Sequence, residues 1–110
     1  MSKINFEEVS FQIIAFSGDA KGAAMSAIYL AKEGKFKEAE EKLSEADGHM
    51  NTASHTHMDI VSAEASGEKF QIPVLFMHAE DQLLSTQTIM LLAKEFVEVY
   101  KKIGNKITKK

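Results

Sequence analysis

Apolar residues recur at alternating steps of three and four along nearly the whole chain. One ladder runs Phe6, Val9, Ile13, Phe16, Ala20, Ala24, Ala27, Ala31. A second runs Phe36, Ala39, Leu43, Ala46, Met50, Ala53, His57, Ile60, and a third Phe76, Ala79, Leu83, Thr86, Met90, Ala93, Val97, Tyr100. On an α-helix such spacing puts every member of a ladder on one face. Gly34, Gly67 and Gly104 punctuate the ladders and Pro73 precedes the third, the usual stop and start signals. The pattern predicts helices over about residues 5–33, 35–66 and 74–103, within one domain spanning 1–110. Short connections force neighbouring helices antiparallel, giving an all-α, up-down-up three-helix bundle. Gly18 and Gly22 interrupt the first helix and mark either a kink or the close approach of another backbone.

Three helices of this length, each about 45 Å long, make a thin rod with much of its surface wet. The third also carries Leu84, Ile89, Leu91, Leu92, Phe96, Val99 and Ile103 off its main ladder. A helix apolar over more than one face is covered from several sides, which three helices alone cannot do. Self-association through the third helix follows.

Composition narrows the function. The chain has 110 residues, 45% hydrophobic and 26% charged, the profile of a soluble globular protein. Its longest apolar run, around Val74 to Met77, is too short to cross a bilayer, and its start does not resemble a signal peptide. With no cysteine, disulfides and thiolate metal sites are excluded, compatible with a cytoplasmic location. The net charge is −3 and every basic residue is lysine, against nucleic-acid binding. Lysines 101, 102, 106, 109 and 110 cluster at the end of the third helix, where they suit its dipole as a solvated tail.

The candidate chemistry is imidazole. His78 sits in the run Phe76-Met77-His78-Ala79-Glu80-Asp81-Gln82-Leu83, and His78, Asp81, Ser85 and Thr88 fall on one helical line that Leu92 continues. Neutral imidazole is nucleophilic near neutral pH and can take a group and hand it on. Two readings fit this line: a satisfied polar pair beside an apolar face, or a reactive histidine oriented by a carboxylate one turn away. If the helix packs about a symmetry axis, converging carboxylates would need protons or a cation such as Mg²⁺. The other histidines offer less. His55 and His57 are two apart and point to nearly opposite sides of a helix. His57 lies on the apolar ladder as a buried, hydrogen-bonded histidine, and His55 with Asp59 reads as a surface contact. Met25, Met50, Met58, Met77 and Met90 read as core filler.

The segment HAEDQL, preceded by Pro73, resembles the active-site segment of the lactose/cellobiose-type enzyme IIA of the bacterial sugar phosphotransferase system, which commonly shows His-Ala-Gln-Asp there. The likeness extends to Ile13-Ile14, Ser17-Gly18-Asp19-Ala20, Ala31-Lys32-Glu33-Gly34 with Phe36 and Ala39-Glu40, and Glu64-Ala65-Ser66-Gly67-Glu68. It implies a homotrimer of nine helices. It implies that His78 accepts a phosphoryl group from the phosphocarrier protein HPr and passes it to a cysteine of the IIB component, beside the membrane-embedded IIC transporter, for disaccharide uptake. Asp81 matches the aspartate that gathers at the threefold axis and binds a structural divalent cation, Mg²⁺ or another; no organic cofactor is implied. Gln82 stands where many relatives have a second histidine and cannot titrate, and Ser85 is a further hydroxyl available as support. A rival comes from Leu30, Gly34, Phe36, Ala39, Leu43 and Ala46, which match part of the tetratricopeptide hairpin and would make the chain a non-catalytic protein-binding module. Only one such copy occurs, where about three are needed to bury their faces.

Overall fold

A computed structural model describes residues 4–108, with side chains described through Gly104. Lys109 and Lys110, and the side chain of Lys106, lie outside the described residues. Three helices follow one another: α1 (Phe6–Lys32), α2 (Phe36–Ala65) and α3 (Val74–Thr108). No strand occurs among the described residues.

The helix ends follow from particular residues. Asn5 caps α1, its Oδ1 accepting from the Glu8 amide at 3.0 Å, while Glu7 and Glu8 place negative charge at the positive end of the helix. At the other end Lys35 N–H donates to Leu30 O and Gly34 N–H to Ala31 O, with Gly34 at φ 79°. The same pair of bonds closes α2, from Glu68 to Ala63 and from Gly67 to Glu64, with Gly67 at φ 109°. Both are Schellman closures, and the left-handed residue each requires is why glycine stands there. The start of α3 is capped by backbone instead: Pro73 O accepts from the amides of Phe76 and Met77 at 3.0 and 3.3 Å.

Each member of the three ladders is buried or half-buried. The centre of the α1 face differs from the predicted line in one respect. Ser10, Ile13, Ser17 and Ala20 are the fully buried positions, whereas Phe6, Val9 and Phe16 are half-buried to the side. Small side chains let helix axes approach, so the serines sit between backbones and the bulky groups splay outward. The same logic explains the alanines Ala24, Ala27, Ala46, Ala53 and Ala93 in the core, all inaccessible to solvent. Large rings fill the end of the bundle instead, Phe6 meeting Phe70 and Phe76 edge-on at 5.4 and 5.2 Å.

α1 packs broadly against both other helices, whereas α2 and α3 touch along a thinner seam. Polar bridges line that seam: Lys101 with Glu40, Lys94 with Asp47 at 3.1 Å, and His57 with Glu80 at 2.6 Å. The hydrogen bond from the Lys101 ammonium to Glu40 raises its pKa above the usual lysine value.

Two glycine expectations change. The pattern predicts that α3 ends near residue 103, but the helix continues through Gly104 to Thr108. Gly104 is a packing position, not a stop: an added Cβ would lie 3.3 Å from the Phe36 ring. α1 is continuous through Gly18 and Gly22, and a Cβ at either would meet nothing within 4 Å. Among the described residues no other backbone approaches them. Gly22→Ala should therefore stabilise the protein by about 1 kcal/mol, the helix-propensity difference. A thermal melt should show a midpoint higher by a few degrees, and a lowered midpoint would contradict the open surroundings of that position.

The rod measures 64 × 21 × 20 Å and exposes 7350 Å². A compact monomer of this mass exposes about 6,100 Å². The excess includes an outward strip of α3 holding Leu84, Leu91, Leu92, Phe96, Val99 and Ile103, each close to half exposed or more.

Candidate functional site

The site is built on the first three turns of α3. Phe76, Ala79 and Leu83 turn inward and fix the helix against the core, so His78 and Asp81 are carried to the outside, both exposed. Ser85 and Thr88 continue the exposed line, and Gln82 beside it is half-buried. Thr88 Oγ1 donates back to Leu84 O at 3.4 Å. Among the described residues no hydrogen bond or ion pair reaches the His78 ring, and none joins it to Asp81. Both ring nitrogens are therefore open to a partner.

Helix geometry sorts the neighbours. Asp81 and Gln82, three and four residues on, lie within one turn of His78. Ser85 is seven residues on, about 10 Å farther along the axis, too far to bond a group on His78 of the same chain. The free amides of the helix start do not reach the ring either, since His78 is the fifth residue of α3 and lies past the first turn. Beside the site, between the end of α2 and the start of α3, runs an apolar groove of about 450 Å³ lined by Ile60, Val61, Ile72, Phe76 and Leu84, with Asp81 on it and His78 outside.

The other histidines are also placed. His57 is half-buried and hydrogen-bonded to Glu80, its Nδ1 donating to the carboxylate. That link was not read from the sequence. The antiparallel register that sets Asp47 opposite Lys94 carries His57 to within about a turn of Glu80, and that register is visible only in the fold. His55 and Asp59 are exposed with no ion pair between them, unlike the contact expected. His49 lies 3.9 Å from Glu45 and its ring is tilted over Phe16. Among the described residues no three His, Cys, Asp or Glu gather to hold a metal ion, and no helix is long and apolar enough to cross a membrane.

Fold and site together define a class, the all-helical bundle that presents a bare imidazole, His78, on the outer face of its third helix. The chain belongs to the family described as PTS system, Lactose/Cellobiose specific IIA subunit, whose model matches residues 8–101. It is thus a IIA component of a sugar phosphotransferase system. It is 38% identical, over 88% of each chain, to the lichenan-specific phosphotransferase enzyme IIA component of Bacillus subtilis. Among solved structures it resembles the cellobiose-specific enzyme IIA of Bacillus anthracis, with a TM-score of 0.89, 40% identity and 96% of each chain covered. The IIA(Chitobiose) chain of a complex with HPr shares the fold, with a TM-score of 0.81 at 24% identity over 93% of this chain and 99% of that one. The tetratricopeptide-like segment from Leu30 to Ala46 is accounted for as the α1–α2 hairpin of this fold.

Proposed function

We propose that His78 is the residue that carries the phosphoryl group. A ring nitrogen attacks the phosphorus of phospho-HPr; an N–P bond forms at His78 as the donor's N–P bond breaks, and the donor imidazole keeps the electron pair. In the second step a thiolate of the IIB component attacks the same phosphorus, an S–P bond forms, and the His78 nitrogen is released. The first histidine-to-histidine exchange is nearly balanced, so the protein's contribution is positioning and electrostatic support. The observation that carries this reading is the exposure of His78 with no partner for its ring among the described residues. The relative seen with HPr supports the choice of donor. Incubated with phosphoenolpyruvate, enzyme I and HPr, the chain should gain one acid-labile phosphoryl group, and absence of labelling would overturn the assignment.

The proposed working form is a homotrimer held by the bare strip of α3. Asp81 lies on that side of the helix, and one chain does not assemble a metal site from its described residues. Copies of Asp81 meeting about an axis would supply carboxylate oxygens, the donors Mg²⁺ accepts, and the cation would offset their repulsion. Asp81→Leu should then abolish binding of the divalent ion, read by elemental analysis of the dialysed protein. The assembly should persist, because an apolar cluster replaces a carboxylate cluster that was costly without its ion. Dissociation of this variant would show instead that the ion is required for assembly. The sugar served is a disaccharide of the lactose, cellobiose or diacetylchitobiose group, which would touch the membrane component and never this chain.

A further inference from the structure

The start of α3 is held from two sides. On the α1 side, the Phe6 ring packs edge-on against Phe76. On the α2 side the tie is polar: His57 Nδ1 donates to the Glu80 carboxylate at 2.6 Å, a charge-assisted length, with both side chains only about a quarter exposed (25% and 24%). The other two bridges of the α2–α3 seam, Asp47–Lys94 and Glu40–Lys101, are more exposed and lie toward the far end of the bundle. Glu80 is two residues past His78, so the two side chains leave α3 on nearly opposite sides. Whatever fixes the rotation of α3 at Glu80 therefore fixes the direction in which His78 faces. Without His57, a half-buried carboxylate loses its donor and gains by turning toward water, which loosens the α2-side hold on the rotation that Phe76, Ala79 and Leu83 set from the core.

We propose that His57, acting through Glu80, is a positioning residue for phosphoryl transfer at His78; this rests on the assignment of His78 above. The link works as a latch between α2 and α3, holding the imidazole at the angle a docked donor requires.

The test is single-turnover transfer from phospho-HPr to the intact chain, with donor concentration varied. His57→Ala should slow the saturated step by about tenfold, the scale expected when a reacting group is misplaced by a fraction of an ångström. The donor concentration giving half the maximal rate should hold steady, because the docking surface is untouched. His57→Gln keeps an N–H donor for Glu80 and should recover most of the loss, as should the exchanged pair His57→Glu with Glu80→His. A merely structural contact would lower the melting temperature and spare the saturated rate in chains that remain folded. Parental rates in folded His57→Ala, or an exchanged pair as slow as the single variant, would overturn the latch; the exchanged pair decides the matter if His57→Ala does not fold. A parent chain that takes no label at all overturns the His78 assignment and the latch together, whereas a labelled parent with indifferent variants sinks the latch alone.

Discussion

His78→Ala should take up no phosphoryl group at all, while folding and assembling as the parent does. The side chain is exposed and without a bonding partner among the described residues, so its removal opens no cavity and strands no polar group. Alanine is also the better helix former, and the change in stability should stay within about 0.5 kcal/mol. The loss should be total if the donor docks on α3, since the other three histidines all lie on α2. His57 is engaged by Glu80, and His49 and His55 lie on another helix, with His49 beside Glu45 and Phe16. Mass spectrometry of the intact chain after incubation with phosphoenolpyruvate, enzyme I and HPr reads the result directly. Label on the variant would move the site elsewhere.

Leu91→Glu should break the assembly into single chains. Leu91 is 67% exposed, on the strip that also holds Leu84 and Leu92. An assembly that covers this strip gains about 1.5–3 kcal/mol for each large aliphatic side chain it fully buries. The substitution removes that gain in every copy and brings like charges together about the axis, where desolvation makes them costlier than on an open surface. Within one chain the same change is nearly neutral, because Leu91 touches solvent and not the core. Sedimentation should give about three chain masses for the parent and one for the variant, with helical circular dichroism retained. A parent that sediments as a single chain would refute the covering of α3, and a variant that stays assembled would place the contact on another face.

Most of the architecture was legible in the sequence because burial and helical period reinforce each other. Every member of the three ladders is buried or half-buried, and the α1–α2 and α2–α3 breaks fall at the glycines that Schellman closures need. What escaped the pattern had a physical cause in each case. Ser10 and Ser17 are fully buried although polar, since closeness of backbones rewards small size over apolarity and a hydropathy ladder cannot see size. Gly104 looks like a terminator, but glycine also serves where a ring leans on a helix, and only the position of Phe36 distinguishes the two. The exposure of His78 was readable from its place off the third ladder. The bond between His57 and Glu80 was not, because it joins residues 23 apart across a seam whose register no local spacing fixes.

The bare ring stands on a continuous helix and not on a loop, and that has a kinetic consequence. A catalyst mounted on a flexible lid can hold two visitors in different postures; a single ring borne on a helix admits one at a time. If His78 carries the phosphoryl group as proposed, donor and acceptor would alternate at the same spot, the slow event in turnover would become the departure of whichever protein has just finished, and tight binding by either would throttle the flow of phosphate through this chain.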